Sequence, residues 1–196
     1  MTDDSLTFAS EEDFAAWMEA NHETAGEVWV ALPKKGTPVP SVSRSEALDV
    51  ALCYGWIDGK AFSGNVPEGW WAQRFSPRRA RSPWSKINCG RVEQLITDGR
   101  MRPAGLAQIE AAKADGRWEK AYAPPSTATV PTDLRAALDA VPAAAEAFGK
   151  LSRSNAYQIV VAVERAVRPE TRARRIATYV ERLAAGEPPH GPRRSP

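Results

Sequence analysis

The sequence predicts an α+β fold, in which a small antiparallel sheet packs with helices and is followed by a C-terminal helical module. Three short runs rich in β-branched and aromatic residues alternate with segments of helical periodicity in the first part of the chain. Beyond a proline-rich stretch, only helical periodicity continues. We therefore expect an α+β domain over residues 1–120, a linker at 121–130, a helical module over 131–186 and a disordered tail at 187–196.

The composition excludes several classes of protein. The 196 residues are 43% hydrophobic and 26% charged, which is not the composition of a disordered, collagenous or membrane-embedded chain. No apolar run approaches the roughly 20 residues that a membrane helix needs. The N-terminal segment has neither the basic nor the apolar region of a secretory signal, so we expect a cytoplasmic protein without a membrane span.

The acidic N-terminal segment predicts a helix and then a strand. Ser10 and the acids after it resemble a helix cap, and Phe14, Trp17 and Met18 follow at helical spacing. The next apolar run, at 27–32, has the alternation and residue types of a strand. Apolar side chains occur on both of its faces, so we expect this strand to be covered on both sides.

A second helix and a hairpin are predicted next. Ser43 and Glu46 form a capping box, and the helix that they begin stops at Gly55. Two further strands are predicted at 56–62 and 70–75. The turn residues between them indicate an antiparallel hairpin.

Helices account for the rest of the chain. One is predicted at about 85–97, another after Pro103, and four more in the C-terminal module. In the first two, the side chains expected to face inward are Val92, Leu95, Ile96, Leu106 and Ile109. In the module, the apolar stripes are formed by Leu134, Leu138, Ala144, Phe148, Leu151, Ile159, Val160, Val163, Val167, Ile176, Tyr179, Val180 and Leu183.

The residues that bind metals are scarce. Cys53 and Cys89 form no C-x-x-C pair and cannot supply a four-ligand zinc site by themselves. The two histidines, His22 and His190, are far apart, so a histidine-rich metal centre is not expected. The sequence signatures of phosphate-binding loops, zinc proteases and serine hydrolases are absent. We expect no cofactor.

Charge is distributed unevenly, although the net charge is only +2. Residues 1–33 hold eight acids and no Lys or Arg, whereas residues 74–91 hold six bases and no acid. Phe75 and Trp84 lie among these bases, a combination that suits an anionic-ligand or nucleic-acid groove. Two alternatives stay open: the bases form a solvated loop, or they dock against the acidic first helix.

Asp58 and the tryptophans are further candidates. Asp58 lies two residues from Trp56 in a predicted strand, where aspartate is disfavoured. It is either a general base or ligand anchor, or a structural residue that pairs with Arg74 or caps a turn. The chain has seven tryptophans, which form either a core or, where they are partly exposed, a binding surface.

Several longer motifs resemble those of a known family. The chain carries ALCYGWIDG at 51–59, RFSPR at 74–78, SPWSKIN at 82–88, GRMRPAG at 99–105, GRW at 116–118 and ETRARRI at 170–176. These segments resemble the bacterial YdeI/OmpD-associated family over roughly residues 8–186. The resemblance implies a cytoplasmic bacterial protein tied to stress tolerance and to protection against bacteriocins or antimicrobial peptides. It supplies no catalytic residues.

Together these observations predict a non-enzymatic protein of antimicrobial resistance or stress protection. Its partner is an unidentified small molecule or peptide with an anionic or aromatic group, held against the sheet by stacking and by guanidinium groups. The predicted ligand-binding residues are Trp56, Asp58, Arg74, Arg78, Arg79, Trp84 and Lys86. Two other functions stay open: nucleic-acid binding by the 74–91 stretch, and a hydrolase-like enzyme that uses Asp58 as base and Arg74 as stabiliser.

Overall fold

The structure, a computed structural model, describes residues 5–62, 66–166 and 168–188. Within these ranges the chain has the predicted α+β fold. It divides into two compact units, Met1–Lys120 and Ala121–Pro196. The predicted division into a domain over 1–120, a linker at 121–130 and a helical module over 131–186 stays a prediction.

The first unit contains the sheet and the second is helical. The elements of the first unit are β1 (Ser5–Leu6), α1 (Glu11–Asn21), β2 (Val28–Pro33), α2 (Arg44–Cys53), β3 (Trp56–Phe62), β4 (Trp70–Pro77), α3 (Lys86–Thr97) and α4 (Pro103–Ala114). Those of the second are α5 (Thr132–Asp139), α6 (Pro142–Gly149), α7 (Arg153–Glu164) and α8 (Pro169–Ala184). Within the described ranges, no helix is both long and apolar enough to cross a membrane.

Some predicted features lie outside the described residues. These are the turn residues 63–65, Val167, His190 and nearly all of the predicted tail.

The four strands form one sheet in the order β1-β2-β4-β3. The predicted antiparallel pairing of β3 with β4 is confirmed, with a register irregularity between Asp58 and Ala61. The sequence did not predict that β2 lies on the other side of β4, where Val30 is opposite Gln73. This pairing brings together residues that are 37 to 47 positions apart in the chain.

One face of the sheet forms the core of the first unit. Val28, Val30 and Phe75 share this face and are buried. The ring of Phe14 on α1 packs against Phe75, with 5.7 Å between their centroids. The apolar stripe of α1 therefore covers the sheet, as its helical spacing predicts.

The predicted helix caps are present. The Ser10 side chain accepts a hydrogen bond from the backbone N–H of Asp13. At α2 both halves of the capping box form, between Ser43 and Glu46. These contacts satisfy N–H groups that a helix start leaves without partners.

Two of the residues predicted to face inward are exposed instead. In α3 the buried side chains are Cys89, Val92 and Leu95, and Ile96 is exposed. In α4 the buried positions include Ile109, whereas Leu106 is exposed. Each exposed residue directly follows a buried one, so it lies about 100° around the helix from the packed stripe.

The second unit has its own hydrophobic core. The buried residues of this core are Leu134, Leu138, Ala144, Phe148, Ile159, Val160, Val163, Ile176, Val180 and Leu183. At its edge the guanidinium of Arg172 holds the Asp133 carboxylate by two bonds, of 2.5 and 2.8 Å. Hydrogen bonding to Arg172 lowers the pKa of Asp133 below its ordinary value.

The Asp133–Arg172 pair makes the second unit sensitive to acid. The pKa of Asp133 is lower in the folded state than in the unfolded chain. The pair therefore contributes its full stabilisation at pH values above the unfolded-state pKa of Asp133, and this stabilisation is lost as the pH falls through the folded-state pKa. We expect Asp133→Asn to lower the free energy of unfolding by less than about 1 kcal/mol near neutral pH, since Asp133 is well exposed. Urea unfolding at neutral pH and again at pH values below the ordinary aspartate pKa of about 3.9 should show this difference shrinking as the pH falls. Asp139→Asn, on the same helix, is the control, and an equal effect of both variants would contradict the assignment.

Candidate functional site

The face of the sheet opposite the core is only partly covered. Because side chains alternate along strands, the register places one set of residues from β2, β3 and β4 on this second face. We call it the open face, and it comprises Trp29, Ala31, Ile57, Phe62, Trp70, Ala72 and Arg74. Ala31 and Ala72 are buried, but the larger side chains around them reach solvent. The expectation that β2 is covered on both sides is therefore met only in part.

Aromatic side chains dominate the open face. Phe62 is 40% exposed, and its ring meets that of Trp29 edge to face, with 6.3 Å between the centroids. Trp70 is half-buried on the neighbouring strand. Partly exposed aromatic rings of this kind supply apolar area and stacking surfaces for a ligand.

A carboxylate links the aromatic and cationic parts of the open face. Glu27 accepts a hydrogen bond from the indole Nε1 of Trp29 at 3.1 Å and another from Arg74 Nε at 2.7 Å. Bonding to Arg74, and secondly to Trp29, lowers the pKa of Glu27. The ion pair is partly exposed on both sides, so a ligand group can reach it.

Three of the predicted ligand-binding residues lie in the interior. Trp56 is 1% exposed, and its indole N–H donates to the carbonyl of His22 at 3.2 Å. Trp84 is 2% exposed and packs on Trp118. The buried guanidinium of Arg78 lies 3.8 Å from the centroid of the Trp84 ring and donates to the carbonyl of Pro83. These contacts are those of packed structural residues.

Asp58 and Arg74 do not meet. Asp58 accepts a bond of 2.6 Å from Arg44 on α2, and Arg74 is engaged by Glu27. Asp58 is opposite Phe75 on the core side of the sheet, while Arg74 lies on the open face. The alternative in which Asp58 pairs with Arg74 is therefore wrong.

The basic stretch is divided among several environments. Arg79 and Lys86 are exposed, as is Arg81, whereas Arg91 pairs with Asp49 at 2.6 Å. The alternative in which this stretch docks on the acidic first helix is not supported by the ion pairs of α1. Glu11 and Glu19 of α1 pair instead with Arg100 and Arg102, in the later motif at 99–105. Ligand binding by the seven predicted residues stays a prediction.

The thiols are unsuited to nucleophilic chemistry. Cys53 and Cys89 are both buried, and burial raises the pKa of each to about 11. Cys53 is thus the small buried residue that its helical position predicts. Over the part of the chain that the structure describes, there is no cluster of three or more His, Cys, Asp or Glu side chains that could hold a metal ion.

Trp29, Phe62, Trp70 and Glu27 were not among the predicted site residues. A sequence signal exists for the two tryptophans. In both β2 and β4 a tryptophan is followed two positions later, on the same face, by an alanine: Trp29 by Ala31 and Trp70 by Ala72. That signal becomes specific only once the register places Trp29 opposite Arg74.

Two family models match the chain in separate segments. The model described as Domain of unknown function (DUF8412) matches residues 6–108, just over half of the chain. The chain belongs to this family. The whole open face lies within the DUF8412 segment.

The second model is described as Bacteriocin-protection, YdeI or OmpD-Associated. It matches residues 127–186, which confirms the resemblance to the YdeI/OmpD-associated family over this part of the chain. The match spans α5 to α8. No curated protein and no solved structure matches the chain.

Proposed function

We propose that this chain is a non-enzymatic binding protein of the bacteriocin-protection type, which acts in the cytoplasm and holds a peptide or small molecule on the open face. The observation that carries the proposal is the contact of Trp29 and Phe62 beside the Glu27–Arg74 pair, with Trp70 further along β4 on the same face. The bacteriocin-protection description of the model matching 127–186 supports the protective role.

The chemistry of the open face favours binding over catalysis. Its charged groups, Glu27 and Arg74, are paired with each other, and neither thiol lies on it. Asp58, the candidate base, is on the other side of the sheet and is held by Arg44. A general base must reach the proton that it removes, and Asp58 does not reach the open face.

The chemistry of the open face favours one kind of ligand. Aromatic or aliphatic groups would pack on Trp29 and Phe62, because these rings are the exposed apolar area of the open face. An anionic group would bind the Arg74 guanidinium in place of Glu27. A peptide with an aromatic residue next to a carboxylate satisfies both contacts.

The test is a thermal-shift screen of the full chain against antimicrobial peptides, small-molecule antibiotics, anionic metabolites and short oligonucleotides, at low and at high salt. A ligand of the native state raises the melting temperature by mass action. We expect a peptide or small-molecule shift that persists at high salt and is lost in Phe62→Ala and in Trp29→Ala. Leu106→Ala is the matched control, because Leu106 is 41% exposed on α4, close to the value for Phe62.

The outcomes separate the candidate functions. A shift that survives Phe62→Ala and Trp29→Ala would move the ligand away from the open face. Stabilisation by oligonucleotides alone, lost at high salt, would replace the proposal with nucleic-acid binding by the exposed Arg79, Arg81 and Lys86.

A further inference from the structure

A second group of charged side chains lines a cleft away from the open face. The cleft has a volume of about 280 Å³ and lies between α1, the end of α2 and the segment that precedes α4. Tyr54, Arg100 and Arg102 are among its lining residues. Neither the basic stretch nor the open face contributes to it.

The charges around the cleft are balanced in two ion pairs. Arg100 pairs closely with Glu11 of α1. Arg102 lies 3.6 Å from Glu19, and these two side chains are 54% and 65% exposed. The Tyr54 hydroxyl donates a hydrogen bond of 2.7 Å to the Glu19 carboxylate. The Arg102–Glu19 pair is therefore the longer and more accessible of the two.

The backbone segments beside the cleft pack closely against each other. The N–H of Arg102 donates to the carbonyl of Cys53 at 3.1 Å. A Cβ on Gly105 would lie 2.2 Å from the same carbonyl oxygen, and one on Gly55 would lie 2.9 Å from the carbonyl oxygen of Ala104. Only glycine fits at these two contacts without a shift of the backbone, so the backbone segments that carry Tyr54 and Arg102 lie close together.

We propose that the mouth of this cleft binds a small zwitterion, of the class of free α-amino acids, between Arg102, which lines the cleft, and Glu19, which lies just outside the lining and pairs with Arg102. The ligand carboxylate would pair with the Arg102 guanidinium, and its ammonium group would pair with the Glu19 carboxylate that Tyr54 orients. The binding is separate from the proposed function, which uses the other side of the sheet.

Charge balance selects a zwitterion over a simple ion. A bare anion that bound Arg102 would leave Glu19 unpaired and would be repelled by its carboxylate. A bare cation that bound Glu19 would leave Arg102 unpaired and would be repelled by its guanidinium. A zwitterion replaces both halves of the pair at once. The volume of the cleft, about 280 Å³, is close to the lower end of the roughly 300–1,000 Å³ of ligand pockets and leaves room for a ligand as small as an amino acid.

The experiment measures binding to the full chain, to three variants of the site and to one control variant. The standard amino acids are screened by thermal shift, and the best of them is titrated calorimetrically beside propionate and propylamine, which carry one charge each. We expect an amino acid to bind and both single-charge probes to fail. Arg102→Gln and Glu19→Gln should each weaken amino-acid binding by about tenfold, the value of one charge-assisted hydrogen bond.

The wild-type chain itself separates the other ligand classes. If the site binds simple anions, propionate binds the wild type at least as tightly as the best amino acid does; if it binds simple cations, propylamine does so. Either result overturns the proposal, as does the absence of any amino-acid shift in the wild-type chain. Tyr54→Phe keeps the buried ring and should weaken binding by releasing Glu19, so it tests the site if Arg102→Gln fails to fold. Arg44→Gln, which breaks the partly exposed pair with Asp58, is the control and should bind as the wild type does.

Discussion

Replacing Gly105 with alanine is expected to lower the free energy of unfolding by about 3 kcal/mol, a large effect for the addition of one methyl group. The new Cβ would lie 2.2 Å from the carbonyl oxygen of Cys53, which is backbone at the end of α2 and has no rotamer to change. To relieve the clash, α4 must move away from α2. That movement also stretches the hydrogen bond from the Arg102 N–H to the Cys53 carbonyl.

Gly90 provides the matched control. It is also a helical glycine, in α3, but a Cβ added there meets no atom within 4 Å. Gly90→Ala should therefore stabilise the protein by up to about 1 kcal/mol, because alanine has the higher helix propensity. Urea unfolding of the two variants and the wild type gives both values. Equal stability of Gly105→Ala and Gly90→Ala would show that α2 and α4 do not pack as the structure describes.

The parts of the fold that the sequence predicts depend on neighbours in the chain. The capping box joins Ser43 and Glu46, which are three residues apart, so it can be recognised from the sequence alone. The buried face of β2, with Val28 and Val30, follows from an alternation of period two. The pairing of β3 with β4 follows from their closeness along the chain.

The parts that the sequence does not predict depend on long-range pairing. Nothing local to β2 indicates that it lies beside β4, and Glu27 meets Arg74 only because the strands pair in that register. The acids of α1 likewise find their partners far along the chain, where Glu11 pairs with Arg100. Charge runs indicate an excess of one sign but do not select partners.

Whether a tryptophan is buried also depends on long-range packing. Trp29 and Trp56 both stand in predicted strands, next to small or β-branched residues. Trp56 faces α1 and meets the ring of Trp17 edge to face, at 6.2 Å, whereas Trp29 faces the open side of the sheet. The sequence alone does not distinguish these two environments, since the face that a helix covers is fixed only when the sheet and helices pack together.

Trp56→Ala is expected to lower the free energy of unfolding by about 4 kcal/mol, because it removes a fully buried indole and leaves a cavity. The change also leaves the carbonyl of His22 without the hydrogen bond that the Trp56 indole donates. Trp29→Ala is the matched comparison. It removes a half-exposed indole together with its bond to Glu27 and should cost about 1 kcal/mol.

Urea unfolding of both variants distinguishes a packing role for Trp56 from a ligand-binding role. A tryptophan that serves only a ligand leaves the free protein about as stable when it is removed, because its ring has few neighbours to lose. If Trp56→Ala unfolds at the same urea concentration as Trp29→Ala, the indole of Trp56 is not packed against α1 and is available to a ligand. If Trp56→Ala is much less stable, its effect on ligand binding is indirect. In that case the two tryptophans have different roles, because Trp56 packs the core face of the sheet against α1 while Trp29 remains available to a ligand on the open face.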